Sequence, residues 1–170
     1  MLSESARMNS AAEARFRIQG AISCSRTVKV IALDAPSESV VRRLAKGGWK
    51  RTTFLTTTAL STASPANTQF SVMAWLSDLT GKIRDLADEL DAADLVVMVA
   101  TPGGGAHGSS IIGEACSVRR VTTTGIVIGG TSAPEAAVSK TLAQLRPWSL
   151  MVVIADSEDY LDNMLIALRA

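Results

Sequence analysis

The stretch that decides the fold of this chain is DLVVMVATPGGGAHGSSIIGE, at residues 94–114. Its first part is almost entirely apolar, as in a strand buried on both faces of a sheet. A glycine-rich segment follows, and residues 109–118 then predict a helix. A strand that turns through glycines into a helix is typical of an anion site, because free N–H groups and the helix dipole meet there.

The alternation of strand and helix extends outward from this stretch in both directions. Short apolar or β-branched runs predict strands at residues 28–33, 52–58, 94–100, 121–128 and 149–155. Asp34 is expected to cap the first helix, which ends at residues 47–48, and Asp156 to cap the last helix, which ends near residue 169. Ser132 and Glu135 have the spacing of a capping box, which predicts a helix from there to residue 145.

The clearest helical pattern lies at residues 72–91. Its apolar positions alternate between spacings of four and three in one continuous stripe, at Val72, Leu76, Leu79, Ile83, Leu86 and Leu90. Such a stripe predicts a helix packed on the sheet. Residues 59–70, just before it, are rich in Ser, Thr, Ala and Pro and predict a long loop.

These elements together predict the fold class. Nearly all-apolar strands separated by helices indicate an α/β fold, a three-layer Rossmann-like sandwich with a mainly parallel five-stranded sheet. Residues 28–170 would form this single domain, and residues 1–27 a flexible N-terminal arm. Right-handed crossovers would bring all strand-to-helix loops to one edge, where ligands of such sheets bind.

Composition argues against several classes of partner. A net charge of +1 and an aromatic content of 4% disfavour nucleic acid and an anionic membrane surface. No apolar run approaches the ~20 residues of a spanning helix. One histidine without a neighbouring carboxylate cluster predicts no metal site. Cys24 and Cys116 make no disulfide framework, which favours the cytoplasm, and Cys116 is expected to be an inert buried thiol.

The candidate binding site is the glycine-rich loop with the start of the following helix. Glycine lets N–H groups approach a phosphate closely, and serine hydroxyls add donors. The residues assigned to the phosphate site are Gly103, Gly104, Gly105, Ala106, His107, Gly108, Ser109 and Ser110. A secondary rim at the same edge comprises Asp34, Ser37, Thr131 and Asp156. Asp34 and Asp156 serve either as helix caps or as contacts to a ribose or substrate hydroxyl.

His107 is the only histidine and the only catalytic candidate. It would act as an acid or base on a phosphorylated substrate, or else touch a bound ligand. No Ser–His–Asp or Cys–His arrangement can be recognised around it from the sequence. The balance therefore favours a binding protein over an enzyme.

Residues 28–156 resemble the N-terminal nucleotide-binding domain of the tubulin/FtsZ GTPase family. The segment ADLVVMVATPGGGAHGSS is similar to that family's strand and GGGTGTG phosphate loop, which follow a helix like the one predicted at residues 72–91. KVIALDAPSESVVRRLAKGGW is similar to its first strand, glycine loop and first helix, and TTTGIVIGG and WSLMVVIAD to its next two strands. The resemblance implies a shared fold and a nucleotide as the candidate cofactor.

The chain departs from this family at functional positions. His107 and Ser109 stand where the family has glycines, and Ser39 where it has an Asn. The glycines of the family's first loop are replaced by DAPSE at residues 34–38, whose two carboxylates would repel a triphosphate and whose proline lacks an N–H. The family's central helix, catalytic carboxylate loop and second domain have no counterpart in these 170 residues. An autonomous GTPase is not expected.

Three hypotheses follow. The first is a small cytoplasmic domain that binds a nucleotide or another phosphate-bearing ligand at Gly103–Gly105 and is regulatory, without GTP hydrolysis. The second is a protein-interaction module, homo- or hetero-oligomeric, with a degenerate site. The third is a small enzyme that uses His107 as acid or base. The identity of the ligand stays open.

Overall fold

The computed structural model describes residues 25–57, 75–168 and 170. The strands within them are β1 Val28–Ala32, β2 Thr52–Thr56, β3 Trp75–Asp78, β4 Ile83–Asp85, β5 Leu95–Ala100, β6 Thr122–Ile128 and β7 Met151–Ala155. The helices are α1 Ala35–Leu44, α2 Leu86–Asp91, α3 Gly108–Arg119, α4 Glu135–Leu145 and α5 Asp159–Ala167, with 3₁₀ turns at Ala45–Gly47 and Arg146–Trp148. Cys24, the predicted loop at 59–70 and most of the predicted arm lie outside the described residues.

The sheet contains seven strands in the order β4-β3-β2-β1-β5-β6-β7. Five neighbouring strands of the sheet are parallel, as predicted: β2, β1, β5, β6 and β7. The other two form an antiparallel hairpin that extends the sheet beyond β2. Numbered among themselves, the parallel strands run 2-1-3-4-5, one of the two common orders of doubly wound sheets. The strand order reverses between β1 and β5, and ligands of such sheets bind at that point.

Helices cover both faces of the sheet, so the predicted three-layer fold is confirmed. Successive side chains of β5 point to opposite faces, and all of them are buried. One face packs against α2, α3 and α4 through Leu86, Leu90, Ile112, Ala115, Cys116 and Leu145. The other face packs against α1 and α5 through Val40, Val41, Leu161 and Leu165. Burial on both faces explains why these strands are almost entirely apolar.

The helix predicted at residues 72–91 is wrong for the part that the structure describes. β3, a turn and β4 occupy residues 75–85, and only α2 is helical. Asp78 Oδ1 accepts hydrogen bonds from the N–H groups of Thr80 and Lys82, both 2.9 Å, and from the Thr80 hydroxyl. Gly81 has a φ of +85°, which suits a hairpin turn and not a helix. These hydrogen bonds lower the pKa of Asp78, and the one from the Thr80 hydroxyl contributes most.

The helix caps differ in part from those expected. Asp34 caps α1 as predicted, in a capping box whose other member is Ser37. Asp156 does not cap α5, because Glu158 is the N-cap residue there and Asp156 accepts a hydrogen bond from Thr131. The capping box predicted from Ser132 is also wrong, since Ser132 Oγ donates to the carbonyl of Gly129 and α4 has no side-chain cap.

Candidate functional site

The crevice between the carboxyl ends of β1 and β5 is closed by Asp34. Asp34 Oδ1 accepts from the N–H of Ser37 at 2.7 Å. Its other oxygen, Oδ2, accepts from Thr101 twice, from the N–H at 2.8 Å and from the hydroxyl at 3.0 Å. The carboxylate thus joins the start of α1 to the loop after β5, across the point where ligands bind in related sheets.

Gly104 lies directly against this carboxylate. A Cβ at Gly104 would lie 2.2 Å from Asp34 Oδ2 and 2.8 Å from Asp34 Cγ. The absence of a side chain therefore serves the contact between the two loops. The same proximity puts negative charge beside the first part of the glycine-rich loop, where the sequence predicted a phosphate.

The glycine-rich loop is bonded to α4 at two of its residues. The Gly103 N–H donates to Thr141 Oγ1 at 3.0 Å and to the carbonyl of Ala137 at 3.2 Å. The N–H of Ala106 donates to Gln144 Oε1 at 3.0 Å. These donors are satisfied by the protein, so they belong to the packing of the loop on α4.

Two N–H donors of the loop, on either side of Ala106, remain. The N–H groups of Gly105 and His107 donate no hydrogen bond to any described residue. His107 is the N-cap residue of α3 and makes no side-chain cap bond. Its imidazole is exposed, with Nδ1 3.5 Å from Gln144 Nε2. These N–H groups therefore lie at the start of the 12-residue helix α3, which is the positive end of its dipole.

The hydroxyls of the two serines in the predicted phosphate site form hydrogen bonds with backbone carbonyls. Ser109 is buried, and its Oγ lies 2.6 Å from the carbonyl oxygen of Ala106 and 2.9 Å from that of Gln144. Ser110 Oγ donates to the carbonyl of His107 at 3.1 Å. Gly108 is the first residue of α3. Hydroxyl donation from these serines to a ligand stays a prediction.

A cavity of about 230 Å³ lies between the carboxyl ends of β1 and β2. It is lined by Ala32, Leu33, Asp34, Ala35, Glu38, Thr56 and Thr57. Glu38 is paired with Arg42, whose Nη2 lies 2.6 Å from Glu38 Oε1. The Thr57 hydroxyl lies 3.1 Å from the carbonyl oxygen of Ala32. The cavity therefore combines carboxylate and hydroxyl oxygens with an apolar floor.

The remaining predicted residues lie apart from this cavity. Thr131 and Asp156 contact each other after β6 and β7, at the far end of the same edge. Cys116 is fully buried, as expected, and desolvation raises the pKa of its thiol to about 11. In the described part of the chain, no three His, Cys, Asp or Glu side chains are grouped to hold a metal. Nor is any described helix long and apolar enough to cross a membrane.

Three residues that organise the loop were missed by sequence reasoning. Thr101, Thr141 and Gln144 bond to Asp34, Gly103 and Ala106 respectively. Of the three, only Thr101 could have been recognised from the sequence, because it directly follows a predicted buried strand. Thr141 and Gln144 are three apart on one helix face, but nothing in the sequence places that face against the loop.

Comparison with known proteins gives distant structural likenesses. No protein-family model and no curated protein matches this chain. Translation elongation factor SelB from Methanococcus maripaludis, in complex with the GTP analogue GPPNHP, is similar with a TM-score of 0.48 and 8% identity, over 85% of this chain and 33% of that chain. Its apo form gives 0.41 and 9%, over 84% and 34%. This chain thus spans about a third of their length. The two SelB structures do not test the resemblance to the tubulin/FtsZ family.

Proposed function

We propose that this chain binds a small phosphate-bearing ligand, of the size of a nucleoside monophosphate, and does not hydrolyse it. The observation that carries the proposal is the pair of N–H groups at Gly105 and His107, which bond to no described residue, at the start of α3, where no side-chain cap is formed. N–H groups and the helix dipole at such a terminus favour an anion. The His107 side chain, exposed beside them, is a further donor to a phosphate oxygen.

The phosphate group would be single. Asp34 occupies the crevice where a longer phosphate chain would extend toward β1, and Gly104 is in contact with its carboxylate. Glu38 adds a second carboxylate nearby, on the wall of the cavity beyond β1. Phosphates placed next to these groups would be repelled.

The cavity between β1 and β2 would take the uncharged part of the ligand. Its carboxylate and hydroxyl oxygens are acceptors for sugar hydroxyls, and its volume of about 230 Å³ suits the ribose, with the base outside it. The resemblance of residues 28–156 to the tubulin/FtsZ nucleotide domain supports a nucleotide over other phosphates. A regulatory role agrees with the environment of the His107 ring, whose partner among the described residues is Gln144 and not a carboxylate or a nucleophile.

Calorimetry provides the test. We expect GMP, AMP or FMN to bind more tightly than GTP or ATP, because extra phosphates meet Asp34 and Glu38. Gly105→Pro should weaken binding about tenfold or more, since it removes one N–H that bonds to a charged oxygen. Gly105→Ala is the matched control, because its Cβ would lie 3.4 Å from the His107 ring and it keeps the N–H. Absence of heat with all five nucleotides would overturn the proposal.

His107→Ala separates binding from catalysis. If the histidine only contacts the phosphate, the variant binds the ligand more weakly and neither protein turns it over. Turnover by the wild-type protein that disappears in His107→Ala would instead support the enzyme hypothesis.

A further inference from the structure

The β7 strand leaves one edge of the sheet open. It pairs with β6 on its inner side, and no described strand pairs with its outer side. At the end of β7, the carbonyl of Ala155 accepts from the Gly129 N–H at 2.7 Å, so the Ala155 backbone faces β6. Because backbone groups alternate along a strand, those of Val152 and Ile154 point outward. They form a row of donors and acceptors suited to another strand.

This edge lacks the usual protection against pairing. Natural edge strands carry charges, prolines or bulges that prevent the addition of a further strand. Residues 149–155 read SLMVVIA, without a charge or a proline. Leu150 is 83% exposed, Met151 50% and Ile154 44%. At the opposite edge, β4 has only three residues, two of them charged. The difference between the edges indicates that β7 is covered.

The helix beside this edge carries charges that suit a second copy. One flank of α4, with Thr141 and Gln144, faces the glycine-rich loop. The stripe on the other flank, toward the open edge, contains Glu135, Ser139 and Leu142 and continues, at spacings of four, three and four, to Arg146, the first residue of the following 3₁₀ turn. Opposite charges therefore stand at its two ends. A twofold axis at the middle of β7 would place Arg146 of each copy against Glu135 of the other.

We propose that two copies of this chain form a dimer by antiparallel pairing of their β7 strands. The sheet then continues across the twofold axis, and the helices that flank β7 meet on each side. β7 has five residues, or about 16 Å, so this face covers roughly 500 Å² per copy. About 1,000 Å² in total is the lower limit for a specific interface, so we expect a weak dimer.

Sedimentation velocity of the full chain tests the dimer. Between about 5 and about 200 µM, the micromolar range, we expect the mass to rise from 17.9 kDa toward twice that value. Ile154→Lys should weaken the dimer about tenfold or more, because it places a charge in the pairing edge. Ile83→Lys, at an exposed position of β4, is the matched control and should leave the dimer unchanged. A monomer throughout, or equal effects of the two variants, would overturn the proposal.

A charge exchange tests the twofold geometry. Glu135→Arg and Arg146→Glu should each weaken self-association a few-fold, as expected for exposed pairs. A mixture of the two variants should associate as well as the wild-type protein, because every contact is again between opposite charges. A mixture that associates no better than either variant alone contradicts the twofold arrangement. Circular dichroism of each variant shows that it is folded.

Discussion

At the scale of single residues, Gly113 fixes the distance between α3 and the turn after α4. A Cβ at Gly113 would lie 2.4 Å from the Cβ of Trp148 and 2.9 Å from its Cγ. Gly113 is buried and Trp148 is half-buried. The glycine permits a close approach of two elements that a side chain would prevent.

Gly113→Ala should therefore destabilise the protein. In an unconstrained helix the change stabilises by about 0.5–1 kcal/mol, but overpacking costs about 1–3 kcal/mol. We expect the free energy of unfolding, measured in urea, to fall by up to about 2.5 kcal/mol, the net of these two effects. Ser117→Ala, at an exposed position of the same helix, is the control and should be neutral or slightly stabilising. A Gly113→Ala protein as stable as the control would show that α3 moves away freely.

At the scale of elements, a buried ion pair holds α2 to β1. Lys29 Nζ lies 2.6 Å from Glu89 Oε2 and 3.0 Å from Thr53 Oγ1. The two charged side chains are only 7% and 13% exposed. Arg84 Nη1 is a second, more distant partner of Glu89, at 3.7 Å. Lys29 thus depends on Glu89, whereas Glu89 has an alternative.

Replacement of the two charges should be strongly non-additive. Glu89→Leu leaves the Lys29 ammonium buried without its partner and should cost about 3–5 kcal/mol of unfolding free energy. Lys29→Met should cost less, because Arg84 remains near Glu89. The double variant should be more stable than Glu89→Leu alone, since no charge is left unpaired. Losses that simply add in urea unfolding would contradict this account.

The hairpin of β3 and β4 shows how turn chemistry overrides periodicity. The apolar spacing at residues 72–91 suits a helix. The last six of these residues do form a helix, α2, in which Leu86 and Leu90 are buried. Asp78, Thr80 and Gly81 form a turn that a continuous helix cannot contain. Ile83, assigned to the apolar stripe, is 61% exposed.

At the scale of the whole molecule, Asp34 joins the two halves of the sheet. The strands and helices on either side of the β1–β5 boundary are connected at this edge through its carboxylate. Asp34→Ala removes the cap of α1, at about 1 kcal/mol, and leaves the Thr101 N–H without its acceptor, at about 1–3 kcal/mol. We expect a total loss of about 2–4 kcal/mol in urea unfolding.

Ser37→Ala is the control for this prediction. It removes the two bonds between the Ser37 hydroxyl and the Asp34 backbone, from the Asp34 N–H at 3.2 Å and to the Asp34 carbonyl at 2.9 Å, and should cost about 0.5–1 kcal/mol. Hydrogen exchange should accelerate at Thr101 in Asp34→Ala but not in Ser37→Ala. Equal losses in the two variants would mean that the link to Thr101 contributes little.

The sequence by itself determined the parallel α/β core of this protein. The buried strands, the cap at Asp34 and the helix after the glycines depend on local patterning and on burial of both sheet faces, and both are visible as runs of residue types. Hairpin turn chemistry was also present locally, at residues 78–81, but was outweighed by the apolar spacing.

Only the tertiary structure decided which donors of the glycine-rich loop are available. Gly103 and Ala106 use their N–H groups on α4, while Gly105 and His107 keep theirs. Asp34 reaches Thr101, 67 residues away in the chain. Such contacts depend on which helix face meets which loop, and that is set by the packing of the whole sheet, not by local spacing. The open edge of β7 likewise follows from strand order, which no single segment encodes.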